Sequence, residues 1–76
     1  MSKNYEYYVI LFDDDLTYYT NDGYPSQDIS QAIQYTNLTV AQQDIDDLDD
    51  DYKKCAVIYK VTEIREYKLE KKQFDN

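Results

Sequence analysis

The eight residues Tyr5-Glu6-Tyr7-Tyr8-Val9-Ile10-Leu11-Phe12 are aromatic and aliphatic, with Glu6 the one charged side chain among them. Such a run reads as a β-strand, and since both its faces carry apolar groups it needs at least partial cover on each side. In a chain of 76 residues that need shapes everything else. The length allows one domain, expected over 1–76, whose core burial exceeds the entropic cost of ordering the chain only modestly. A hydrophobic share of 42% is ordinary for a folded domain and too high for a disordered one.

The rest of the chain supplies partners for this strand. Asp13-Asp14-Asp15 is a poor strand former and predicts a turn. Leu16-Thr17-Tyr18-Tyr19-Thr20 resumes strand character, so residues 5–20 predict a hairpin with cross-strand tyrosine pairs. Asn21-Asp22-Gly23 is the strongest turn signal, because glycine supplies the positive φ that such turns need. Residues 26–37 fit either a helical turn on Ile29, Ala32 and Ile33 or an extended connection; irregular structure with a short helix is the preferred reading. Beyond them, Thr39 and Gln42 have capping-box spacing. Ala41, Ile45, Leu48 and Tyr52 then form one apolar stripe, which predicts a helix over about 39–51. Lys53 and Lys54 follow its end, where cations complement the helix dipole. Residues 55–69 alternate, with Cys55, Val57, Tyr59, Val61, Tyr67 and Leu69 at odd positions. They predict a long strand, bent or bulged near 63–65, whose odd face packs on the helix. Residues from about 70 to 76 are expected to fray. The predicted class is α+β: a small antiparallel sheet, made of a hairpin and a long C-terminal strand, with one main helix packed on one face.

Several chemistries are missing. The chain has no histidine, no phosphate-cradling glycine loop and no nucleophile elbow, so no catalytic residues are assigned and no enzyme is expected. A single cysteine allows no internal disulfide, and without histidine a zinc site of the Cys/His type is nearly excluded. Cys55 opens an apolar strand and reads as a small buried hydrophobe. A calcium loop beginning at Asp44 would need an acid at its fifth position, glycine at its sixth and glutamate at its twelfth. Those positions hold Leu48, Asp49 and Cys55, so no dedicated metal site and no cofactor are expected. No apolar run behind Met1-Ser-Lys-Asn-Tyr could serve as a signal peptide, and no segment is long enough to span a bilayer, so the expected location is the cytoplasm.

Charge is what remains. Residues 1–51 hold twelve acids and one base for a net −11, while residues 52–76 hold four acids and seven bases for +3, giving −8 overall. Such a balance disfavours direct binding to nucleic acid or to anionic membranes and favours a basic partner, or simply solubility. Six aspartates (Asp44, Asp46, Asp47, Asp49, Asp50 and Asp51) occupy eight positions. On a continuous helix they would span about 10 Å at about 1.5 Å per residue. Duplex DNA carries one charge per roughly 1.7 Å, a density of the same order. Asp13, Asp14 and Asp15 extend the pattern if the fold brings them alongside, and Tyr18, Tyr19, Tyr24 and Tyr35 offer flat contacts like those of bases. The plainer alternative is an acidic helix that is only a solvated face.

In its DIDDLDDD and FDDD segments and its tyrosine-rich hairpin, the chain resembles the small acidic proteins that phages encode against host defences, anti-CRISPR proteins and other DNA mimics among them. The resemblance is one of size and composition over residues 5–52 and carries no individual residue role with it. It implies a non-enzymatic inhibitor, acting in the host cytoplasm, that occupies the nucleic-acid site of a defence protein such as a CRISPR nuclease. There carboxylates would meet arginines that otherwise contact bases. The expectation from a different class is a small interaction or structural module, associating as a homodimer through its tyrosine-rich sheet or an exposed strand edge.

Overall fold

A computed structural model of the protein describes residues 5–63 and 67–72. The apolar run forms strand β1 (Tyr5–Phe12), and Tyr7, Val9, Ile10, Leu11 and Phe12 are all buried. It is an inner strand. On one side β3 (Ala56–Glu63) pairs with it antiparallel over its full length, from Tyr5 opposite Glu63 to Phe12 opposite Ala56. On the other side the two-residue β2 (Thr17–Tyr18) covers the end of β1, and Tyr35 covers its middle through reciprocal backbone bonds of 2.7 and 2.8 Å with Tyr8. A fourth strand, β4 (Tyr67–Lys72), pairs antiparallel with β3, giving the order β2-β1-β3-β4.

The expected antiparallel sheet with one main helix is present, and its last third differs from expectation. Residues 56–63 and 67–72 form two paired strands, where one long bent strand was expected. Reversal lets Val61 pair with Leu69 and Lys60 with Glu70, giving partners to backbone groups that a single strand would leave unpaired. Residues 70–72, expected to fray, belong to this pairing; of the bend expected near 63–65, Glu63 lies in β3, while 64–65, like 73–76, lie outside the described residues.

Both faces of β1 are covered by different parts of the chain. Ile10, Phe12 and Ile58 share a layer with Ala41, Ile45 and Tyr35 beneath helix α1 (Leu38–Asp46). On the opposite face Tyr7, Val9 and Val61 pack with Ala32, Ile29, Tyr18 and Tyr59. The even face of β3 therefore meets the helix, contrary to the odd-face expectation. Ile58 lies opposite Ile10, and this register fixes the face; alternation alone cannot, because both faces of β3 carry apolar groups.

The second cover is the irregular segment 26–35, held by short polar bonds. Asp28 Oδ1 accepts from Ser30 N (2.9 Å) and Ser30 Oγ (2.8 Å), capping a 3-10 turn at Ile29–Gln31. Before it, Gly23 adopts the expected positive φ of 82°, and Asp22 Oδ1 accepts from Tyr24 N. The buried Thr20 places its hydroxyl between Asp22 Oδ1 (2.6 Å) and the Tyr24 carbonyl (2.7 Å), which satisfies it.

The expected continuous helix is broken. Asn37, two residues before Thr39, caps α1 by accepting from Thr39 N at 2.7 Å. The helix ends at Asp46, Asp49 is extended (φ −61°, ψ 152°), and a separate turn of helix, α2 (Asp50–Lys53), follows. Aspartate is a mediocre helix former and is disfavoured at a helix C-terminus. The break moves Asp50 and Asp51 from the end of one helix to the first turn of another, where the dipole favours them.

Candidate partner-binding surface

The turn between β1 and β2 is tied to the far end of the aspartate run. Asp13 N donates to the Cys55 carbonyl at 2.9 Å, just beyond α2, so the turn at 13–16 lies beside the end of that helix. Leu16 closes the turn with φ 59°, its amide donating to the Phe12 carbonyl. Within it, Asp14 Oδ1 accepts from Asp15 N and Asp15 Oδ1 from Thr17 Oγ1, while Asp13, Asp14 and Asp15 all stay exposed. The same proximity acts on Cys55. Burial pushes its thiol pKa up, and the carboxylates of Asp14 and Asp13 push it further. Cys55 is a buried free thiol whose Sγ lies 3.3 Å from the Tyr52 carbonyl, and these shifts oppose thiolate formation.

The six clustered aspartates are not equivalent. Asp44 is half-buried and accepts the Tyr35 hydroxyl at 2.5 Å. Burial of Tyr35, and then this carboxylate, hold that hydroxyl protonated well above the usual tyrosine range. Asp46 is exposed and accepts from Gln42 Nε2 at 3.1 Å, one helical turn back. Asp51 lies 3.8 Å from Lys54 Nζ in a highly exposed pair, of a kind that contributes little. Asp47, Asp49 and Asp50 are exposed, with no side-chain hydrogen bond or ion pair among the described residues. The break at 47–49 therefore replaces one straight row with two groups, and the turn at 13–15 stands next to the second of them. Elsewhere two lysines are engaged by glutamates: Lys60 with Glu6 at 3.1 Å, and Lys72 with Glu70 at 2.8 Å. Among the described residues no three acidic or thiol groups converge closely enough to hold a metal ion, so these carboxylates form a spread surface.

The tyrosines expected beside this surface point different ways. Tyr18 belongs to the layer away from α1, with its hydroxyl pKa raised by burial and then by Tyr59. Tyr19 lies on the α1 side, edge-on to Phe12 at 6.2 Å. Tyr24 is 78% exposed. Sequence reasoning gave Tyr52 and Leu48 no role beyond the helix stripe. In the fold they line an apolar notch of about 50 Å³ with Phe12, Tyr19, Gly23 and Pro25, and the Tyr52 ring stands 5.3 Å from that of Phe12. Nothing in the stripe itself distinguishes a residue that fills the core from one at its open rim.

Fold and surface together define a small α+β protein with an acidic, aromatic-notched end. A scan against known protein families, a search of curated proteins and a search of solved structures each found no match. No helix among the described residues is long and apolar enough to cross a membrane.

Proposed function

We propose that this protein is a non-enzymatic inhibitor that presents its acidic end to the nucleic-acid-binding site of a basic host-defence protein, such as a CRISPR nuclease, in the cytoplasm of the host. The carrying observation is the bond from Asp13 N to the Cys55 carbonyl, which sets one acidic turn beside the end of another acidic segment. Asp13, Asp47, Asp49 and Asp50 have no cationic partner among the described residues. Keeping like charges together opposes stability, so a surface that retains them favours a partner of opposite sign. Arginine forks on such a partner accept carboxylates in the same bidentate manner as phosphates. The aspartates stand on two backbone elements, so they would replace phosphates as a patch and not as a helical strand.

The test is competition. The protein is immobilised, basic nucleic-acid-binding proteins and purified CRISPR nucleases are passed over it, and duplex DNA or RNA is then added. The expected result is capture that weakens steeply with salt, with release by the polynucleotide and loss of nuclease cleavage in solution. Capture that polynucleotide leaves untouched, or that Asp→Asn changes at 46, 47, 49 and 50 leave unchanged, rejects the reading.

A second reading, a homodimeric interaction module, draws on the outer edge of β4, which pairs with no strand among the described residues and exposes Leu69. The tyrosine face gives it less support, since Tyr7 and Tyr35 are buried. Sedimentation at rising concentration separates the two readings.

A further inference from the structure

We propose that the notch between Tyr52, Leu48 and Pro25 seats one arginine side chain of the bound partner, an anchor within the surface described above and resting on that reading. Its size selects the kind of occupant. Ligand pockets usually enclose about 300–1,000 Å³. This one offers about 50 Å³, enough for part of a single side chain. Its walls are apolar and aromatic: Phe12, Tyr19, Pro25, Leu48 and Tyr52. Its surroundings are anionic, because the lining residues are chain neighbours of Asp13, Asp22, Asp47, Asp49 and Asp51. Among the described residues, the carboxylate of Asp51 is the one of these with a cation within ion-pair distance.

An apolar slot with a carboxylate rim suits a side chain that is apolar along its stem and cationic at its tip. Arginine meets both conditions, since its methylene stem packs on Leu48 and Pro25 while its planar guanidinium stacks on an aromatic face. The half-exposed Tyr52 ring supplies that face, held against Phe12 at 5.3 Å. Lysine fits less well, because its ammonium is compact and strongly hydrated. A leucine would fill the slot but gain nothing from the rim.

The experiment uses the whole protein, labelled with ¹⁵N, and three probes: acetyl-Gly-Arg-Gly-amide and its lysine and leucine counterparts. Amide spectra follow each titration. The expected result is saturable shifts greatest at Gly23, Leu48 and Tyr52 with the arginine peptide, and binding weaker by roughly threefold or more with the other two. Tyr52→Ser should weaken the arginine peptide by a similar factor, while Tyr52→Phe should retain it. Equal binding of the three peptides, shifts spread evenly over the aspartates, or unaltered affinity in Tyr52→Ser would overturn the proposal. If Tyr52→Ser fails to fold, the comparison of peptides on the unaltered protein decides alone. These outcomes leave the acidic-surface reading standing, since that reading fails on competition by polynucleotide and on the Asp→Asn variant.

Discussion

Aspartate does two different jobs in two regions of this molecule. In the segment from 20 to 35 it builds local structure: Asp22 ties Thr20 to Tyr24, and Asp28 caps the turn at Ile29–Gln31. In the segment from 46 to 51, joined by the turn at 13–15, most carboxylates bond nothing beyond their own turn among the described residues. The first region spends its charges on holding backbone over the sheet. The second leaves them displayed. Asp44 belongs with the first kind despite its position in the run, since its carboxylate is engaged by Tyr35. Residue type is the same across the run, and backbone placement separates the roles.

The sharpest way to break this contrast is to neutralise each group in turn. Asp→Asn at 46, 47, 49 and 50 should lower affinity for a captured basic target by more than about tenfold, as expected for loss of several charge pairs. Chemical denaturation should find that variant as stable as wild type or more so. Asn at positions 22 and 28 should do the reverse, and a loss of affinity equal to that of the first variant would erase the distinction.

Next in size is Tyr35→Phe. It removes the hydrogen bond to a half-buried carboxylate, a loss of about 1.5–3 kcal/mol for bonds to charged groups, measurable by urea unfolding. The raised pKa of Tyr35 has a matching pH signature. Its folded form stays protonated where the unfolded chain ionises, so stability holds below pH 10.0, the ordinary tyrosine value, and falls as pH rises above it. Tyr35→Phe should flatten that alkaline decline.

Smaller still are single Asp22→Ala and Asp28→Ala changes, which should lower the melting temperature without altering capture. Hydrogen bonds from Thr20 and from Ser30 hold these two carboxyls below their ordinary 3.8. Their contribution is present above pH 3.8 and is lost as pH falls through the lower folded values, so variant and wild type should converge in acid. The smallest effect concerns salt. Raising it from about 0.05 to about 0.5 M screens repulsion over the short distances within the run and should raise the wild-type melting temperature slightly. The fourfold Asn variant should not respond.

Much of the frame was legible in advance. The run from Tyr5 to Phe12 demanded two covers and has them, the turn at Gly23 has its positive φ, and Ala41 and Ile45 face the sheet. Each of those rests on a local pattern with one low-energy solution. The misses share a different cause. Asn37 competed with Thr39 for the cap, a difference of one hydrogen bond. The break at 47–49 turned on a weak helix former opposing a dipole, against a stripe that still reaches Phe12 through Tyr52. Residues 55–69 alternate with apolar groups on both faces of β3, so neither the reversal into β4 nor the face toward α1 was encoded in period alone.

By itself, then, the sequence determined which segments must be covered, where the chain turns, and that negative charge outweighs positive. Patterning and local backbone preference act over a few residues and do not depend on the rest of the chain. Only the tertiary structure decided which aspartates are consumed, which are displayed, and that Tyr52 closes a notch among them. Those outcomes depend on long-range pairing, above all β1 with β3 and Asp13 with Cys55, which sets side chains distant in the chain within bonding distance or out of it.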